Sequence, residues 1–401
     1  MSSSDSLPKP RFRVNQIVCE RWKILREIGR GGCGVVVSVE HLNDCSDTSF
    51  SSPTDNSERQ AKSKRDDRPS SQQSRSSKTT SNQRHILPLI AAMKAEAVDP
   101  KGRYAQTIKM EVNNKRKAHV LRRLQHSEHF CRLYLVCQMD AHTNVLIMSL
   151  VGRSLSWLRR RTPRQQFTPS TVIRASLQCL NAIQEVHRQG FLHRDIKGSN
   201  FAIGNDPQNC RIIHLLDFGF ARVFLREKKG RVYMRPARPR APFLGTARYC
   251  SINMHEGGEH GRVDDLWSFL YMMVELLKGK LPWRDIPHQR LLRAKKFYAD
   301  YLLNKCPIEF KDIMNHLEML TWNSRPNYEL IRRALELICV KNGFSVTHPF
   351  DWENGGCFYA RIRKAETECR RNSLSSWPTE STTTTGTTFS TSTSSDLTSS
   401  Q

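Results

Sequence analysis

Apolar residues change their period along the chain. KILREIG (Lys23–Gly29) and VVVSVEH (Val35–His41) predict two strands joined by a glycine turn, and LPLIAAMKAE (Leu87–Glu96) predicts a third. From Thr171 the spacing lengthens. Val172, Ile173, Leu177, Leu180, Ile183 and Val186 recur at helical intervals, and LWSFLYMMVELLKG and YELIRRALELICVKN continue the pattern. A small β-rich lobe followed by a larger helical one is the expected α+β architecture. Two stretches have no period. Residues 43–84 carry Phe50 as their only large apolar residue, and nothing there offsets the entropy of ordering, so a disordered insertion is expected. From Ser373 the chain becomes a Ser/Thr tract. The resulting division is a flexible N-terminus 1–17, a folded domain 18–358 with its first lobe to about 148 and its second from about 153, and a disordered tail 359–401.

Charge adds the next constraint. Lys and Arg number 63 against 38 Asp and Glu, a formal charge of +25 in 401 residues. Such an excess favours an anionic partner: nucleic acid, a membrane surface, or an acidic or phosphorylated protein. The N-terminus lacks the apolar core of a secretory signal, and the longest apolar run, Phe269–Leu277, is broken by Glu275 and too short to span a bilayer. A soluble cytoplasmic protein without membrane attachment is expected, with a nuclear fraction left open by the short KSKR string. Twelve cysteines show no C-x-x-C pair and are read as reduced structural thiols, Cys33 in the glycine-rich loop included.

Four ordered motifs carry chemistry. In EIGRGGCGVVVSVE, Gly29, Gly31 and Gly34 make G-x-G-x-x-G, with Val36 following. Glycines at this spacing let backbone N–H groups approach phosphate oxygens. A dinucleotide site would continue into a helix, whereas Val35, Val36, Val37 and Val39 continue a strand, which points to a hairpin over a nucleotide. AAMKAE then supplies Ala92 and Lys94, the latter for the α and β phosphates, and Glu111 is the candidate acidic partner on a following helix. FLHRDIKGSNF gives His193, Arg194, Asp195, Lys197 and Asn200 in H-R-D-x-K-x-x-N, and LLDFGFA gives Asp217, Phe218 and Gly219. Phosphoryl transfer needs a carboxylate to accept the hydroxyl proton, metal ligands, and cations against developing charge. Asp195 fits the first role, Asn200 and Asp217 the second, and Lys94 and Lys197 the third. Together these motifs read as a bilobal protein-kinase fold that uses ATP and Mg2+. Lys197, two residues after Asp195, is the Ser/Thr rather than the Tyr arrangement.

Beyond the fold, the segment Gly245–Trp283 has Ser251-Ile252-Asn253 where most kinases have A-P-E. With VGRSLSWLRRR, FLHRDIKGSNFAIG and HPFDWE (His348–Glu353), the chain resembles the casein kinase 1 superfamily, its tau-tubulin kinase branch in particular, over about Arg21 to Glu353. The resemblance implies Met148 as gatekeeper, Ser149 to Val151 as the hinge, with Ile28 and Leu150 against the nucleotide, and Asp265 as the buried carboxylate holding the catalytic loop. Two departures stand out. Gly198 replaces the usual Pro of K-P-x-N, which adds backbone freedom. The family's M-E-V-x-V-L-K-K-L-Q reads here as MEVNNKRKAHVLRRLQ, about six residues longer. Either the helix bulges after Val112 and restarts near Ala118, or the Lys94–Glu111 pair is poorly held.

Between D-F-G and S-I-N, Lys228, Lys229, Arg231, Arg235, Arg238, Arg240 and Arg248 occur without one acidic residue from Lys228 to His255. In a kinase this segment flanks the peptide cleft, and arginines there can bind carboxylate or phosphate in a bidentate manner. Arg231, Arg235, Arg238 and Arg240 are the candidate substrate-binding residues; a solvated basic loop is the bland alternative. The expected function is a monomeric Ser/Thr protein kinase acting on acidic or pre-phosphorylated protein. The alternative is a pseudokinase or weakly active scaffold that binds ATP and partners. A nucleic-acid role rests on charge alone, since no such motif is visible.

Overall fold

The computed structural model describes residues 10–31, 34–42, 89–97, 117–206 and 208–375. Glu111, Cys33 and the insertion 43–84 lie outside them. The first lobe is an antiparallel sheet in the order β1 (Ile17–Val18), β2 (Trp22–Gly31), β3 (Gly34–His41), β4 (Ile90–Ala97), β6 (Thr143–Ser149), β5 (Leu133–Asp140). Alternation fixes the register: Ile24, Val35, Val37, Val39, Ala91, Met93, Ala95, Val145 and Ile147 share one face and form a closed apolar cluster. The opposite face carries Val36, Ala92 and Lys94 towards the second lobe, because successive side chains of a strand point to opposite sides.

A helix whose described part is residues 117–123, α1, lies beside this sheet, where the restart near Ala118 was expected. Its Ala118, Val120 and Leu121 join the larger core of the second lobe. After the hinge strand β7 (Val151–Ser154) come α2 (Leu155–Arg159) and α3 (Pro169–Arg188), the latter capped by Thr168 Oγ1 on the Thr171 amide. Then follow β8 (Phe191–Leu192), β9 (Phe201–Gly204), β10 (Ile213–Leu215) and β11 (Arg222–Val223), with β8 paired to β11 and β9 lying between β10 and β7. Helices α4 (Ile252–His255), α5 (Arg262–Lys278), α6 (Leu291–Phe297), α7 (Glu309–Glu318) and α8 (Tyr328–Asn342) complete the lobe. The most apolar of these, α5, buries Leu266, Phe269, Leu270, Met272, Met273 and Val274. It ends at Gly279, whose φ of 82° lies in the left-handed region that glycine enters at low cost. No helix among the described residues is long and apolar enough to cross a membrane.

Two features depart from the expected organisation. The basic segment contains a β-hairpin, β12 (Leu225–Lys228) with β13 (Arg231–Met234), closed by Lys229 (φ 53°) and Gly230 (φ 72°). Positive φ at both turn residues matches the right-handed twist of a two-residue hairpin. The tail assigned from 359 is helical at its start: α9 runs Tyr359–Ser375. Ile362 is buried in the second-lobe core, the Arg361 guanidinium donates to the Arg161 carbonyl at 2.7 Å, and Arg363 pairs with Glu366 one turn on at 2.9 Å. The buried Ile362 and the Arg361–Arg161 hydrogen bond dock a helix that composition alone concealed.

Candidate active site

The roof of the cleft is set by strand register. Gly29 stands opposite Val36, Gly31 opposite Gly34, Val36 opposite Lys94 and Ala92 opposite Met148. Gly34 is required by a close approach: at φ 146° its Cβ would lie 2.2 Å from the Ala95 carbonyl oxygen. Ile28 and Leu150 line a groove of about 830 Å³ together with Glu366, Cys369 and Arg370 of α9. Of the expected nucleotide-binding positions, Ile28 and Leu150 line this groove, and strand register sets Gly29, Val36 and Lys94 side by side, as it does Ala92 and Met148.

Its floor is built by buried hydrogen bonds. Asp265, on α5, is 1% exposed and accepts from the His193 amide at 2.8 Å, the Arg194 amide at 2.7 Å and the His187 ring at 2.8 Å. Burial opposes its ionisation, but the hydrogen bond and charge of His187, together with His193 and its amide, outweigh this and lower its pKa. The anchored turn puts Arg194 at φ 66° and presents Asp195 to the cleft. Asp195 Oδ2 meets Lys197 Nζ at 2.7 Å, and its Oδ1 accepts from Thr246 Oγ1 at 2.7 Å. Lys197 Nζ also donates to Thr246 Oγ1 at 2.8 Å, and Asn200 Nδ2 donates to the Asp195 carbonyl at 2.8 Å. Gly198 has a reason of its own: its carbonyl accepts from the Ser156 amide at 2.9 Å, and a Cβ there would meet Ser156 Oγ at 2.9 Å. The glycine therefore seats α2 against the catalytic loop.

Phe218 is buried, its ring 5.2 Å from that of His193, so this histidine is a packed element of the core. Asp217 adopts φ 61°, ψ 78° and accepts from the Gly219 amide at 3.2 Å and from Lys94 Nζ at 3.4 Å. Burial pushes its carboxyl upward, yet Lys94 and Lys117 prevail and hold it at about 2, charged at neutral pH. Lys94 also lies 3.3 Å from Glu96, two residues on along the same face of β4.

The donor set fits a hard cation. Asn200 gives its amide hydrogens to Asp195, which leaves its carbonyl oxygen for a metal, and Asp217 is an anionic oxygen ligand. A divalent ion held by Asn200 and Asp217 would neutralise phosphate charge. Asp195, oriented by Lys197, Thr246 and Asn200, is placed to accept a hydroxyl proton.

A lysine on the nucleotide roof, an H-R-D-x-K-x-x-N loop hung from a buried helix aspartate and a D-F-G aspartate facing that lysine make one constellation, and the protein kinase domain family matches residues 89–337. The chain belongs to the protein kinase family. Among related proteins, it is 38% identical to a probable serine/threonine-protein kinase of Dictyostelium discoideum over 264 residues, 65% of this chain and 51% of that protein. It is 32% identical to a putative casein kinase I of Caenorhabditis elegans over 270 residues, 65% of this chain and 76% of that one. It is 34% identical to an inactive tau-tubulin kinase of the same worm over 218 residues, 52% and 75%. The chain spans about half the length of the Dictyostelium relative.

The kinase site corrects part of the basic-segment reading. Arg238 Nε and Nη2 each lie 2.7 Å from Glu259, whose carboxylate also accepts the Arg238 amide at 3.0 Å. Arg248 pairs with the buried Glu275 at 3.6 Å. The Arg235 amide donates to the Phe224 carbonyl at 2.9 Å and its guanidinium reaches the Val223 carbonyl at 3.5 Å. Glu259 and Glu275 lie beyond the basic run, so a count of charges along it missed them. Arg238 is thus tied to Glu259 and only partly exposed, whereas Arg231 and Arg240 are exposed. Thr246, Glu96 and Lys117 were not singled out as site residues. Thr246 had a faint signal, as one of the few hydroxyl residues in its segment; the other two had none, because only the fold brings them together.

Proposed function

We propose that this kinase transfers the γ-phosphate of ATP, with Mg2+, to Ser or Thr hydroxyls of proteins. The observation that carries the reading is Asp195 held between Lys197, Thr246 and Asn200, with Lys94 and Asp217 3.4 Å apart across the cleft. The serine/threonine-kinase relatives and Lys197 support a hydroxyl amino acid as acceptor. Placement in the casein kinase 1 superfamily is supported by S-I-N at 251–253 and by the casein kinase I relative. Exposed Arg231 and Arg240 support a preference for acidic or phosphorylated segments, presented to a monomer. Transfer of labelled γ-phosphate to casein and to peptides with Asp, phosphoserine or Lys three residues before the acceptor tests this. Turnover that is abolished by Lys94→Met and by Asp195→Asn is the expected result; equal rates on the three peptides would refute the acidic preference. A second reading, a nucleotide-binding pseudokinase, draws on the relative named inactive and on Lys117 beside Lys94. ATP binding without transfer would select it.

A further inference from the structure

Lys117, on α1, is 4% exposed, and Glu96, on β4, is 2% exposed; Lys117 Nζ and Glu96 Oε1 are 2.6 Å apart. The same Glu96 oxygen lies 3.3 Å from Lys94 Nζ, and Lys94 lies 3.4 Å from Asp217. Four charges therefore form one chain across the cleft, helix cation to strand anion to strand cation to D-F-G anion. Lys117 also closes on the D-F-G turn, its Cε 3.4 Å from where a Cβ of Gly219 would stand. An apolar pair would fill the space between α1 and β4 without the desolvation cost of two buried ions. That the ions are present, one residue away from contact with Asp217, points to a positioning task.

The polarity is the informative point. Kinases ordinarily orient the phosphate-binding lysine with a carboxylate on the helix. Counting back eight residues from Gln125, as M-E-V-x-V-L-K-K-L-Q does from its last residue to its glutamate, arrives at Lys117. In that ungapped count Lys117 stands at the helix position, and among the described residues Glu96, two residues after Lys94, is the carboxylate that meets both lysines. We infer that Lys117 and Glu96 form a brace that positions Lys94 for the nucleotide phosphates, with Lys117 acting through Glu96 as a positioning residue.

The inference rests on the nucleotide-binding reading of the site, so binding is the readout. Affinity of the full chain for a fluorescent ATP analogue with Mg2+ would be measured for Lys117→Met, Lys117→Arg, Glu96→Gln and the double variant Glu96→Gln/Lys117→Met, with melting curves to verify folding. Lys117→Met and Glu96→Gln are each expected to weaken binding about tenfold, the loss of one charge-assisted contact. Lys117→Arg is expected to stay near wild type, and the double variant to bind no worse than the weaker single one. In turnover the loss falls on KM for ATP more than on kcat. Wild-type affinity in Lys117→Met, equal damage in Lys117→Arg, or additive losses in the double variant would overturn the brace. If Lys117→Met does not fold, Glu96→Asp keeps the charge and shortens its reach; unchanged affinity there has the same consequence. An unaltered chain that binds no nucleotide would remove the kinase reading and the brace together, whereas a binding wild type with indifferent variants would remove the brace alone.

Discussion

Replacing Arg238 by Met separates a structural arginine from a substrate-binding one. Glu259 is 5% exposed in its side chain and Arg238 28%, and two 2.7 Å contacts join them in a fork. Removing the guanidinium leaves Glu259 with the Arg238 and His260 amides, both at 3.0 Å, and Arg222 at 3.8 Å. Breaking a buried pair from one side costs about 3–5 kcal/mol, and the remaining donors bring the expectation to the lower end, about 3 kcal/mol. For a domain of this size that is a fall in Tm of roughly 6–12 °C. The effect should depend on pH. Burial raises the Glu259 carboxyl, but the Arg238 hydrogen bonds prevail and lower it from 4.5 to about 2. A folded value below the unfolded one means the stabilisation is present above about pH 4.5 and fades as pH falls through 2. Scanning fluorimetry of wild type and Arg238→Met between pH 7 and pH 3 should show a gap that narrows below pH 4.5. A Tm unchanged at pH 7, together with a raised KM for an acidic peptide, would refute the structural assignment.

Three further outcomes follow from the site. Asp265→Asn weakens the support of the His193 and Arg194 amides, and misplacement of Asp195 on this scale lowers kcat about 100-fold in a γ-phosphate transfer assay. Thr246→Val removes a hydroxyl from Asp195 and Lys197, with an expected loss of about tenfold in kcat and little change in ATP affinity, measured by titration. Gly198→Ala drives a Cβ towards Ser156 Oγ and should cost about 1–3 kcal/mol in denaturant unfolding; adding Ser156→Ala should recover part of it.

The order of G-x-G-x-x-G, Lys94, H-R-D and D-F-G made the bilobal fold and most of its cleft legible before any coordinates, because each motif is local and its chemistry demands those residue types. What was not legible depends on distant partners. Arg238 and Glu259 are 21 residues apart, and Arg248 and Glu275 pair between the basic segment and α5, so a charge count along the chain overstated the free arginines. Lys117 and Glu96 are 21 apart as well, joined by a strand and a helix that only packing aligns. Helix α9 escaped notice because its residues are mostly charged or polar and merge in composition with the Ser/Thr tract, while a few contacts, Ile362 among them, decide its docking.

That helix changes how small molecules would read this cleft. The groove outside Ile28 and Leu150 is walled by Glu366, Cys369 and Arg370, residues that belong to the chain's C-terminal extension rather than to the shared catalytic machinery. An ATP-competitive inhibitor that grows outward past the hinge would leave the surface dictated by phosphoryl transfer and enter one free to differ between kinases. Its selectivity would be decided there, and a fragment ending before Tyr359 would report the wrong affinity for it.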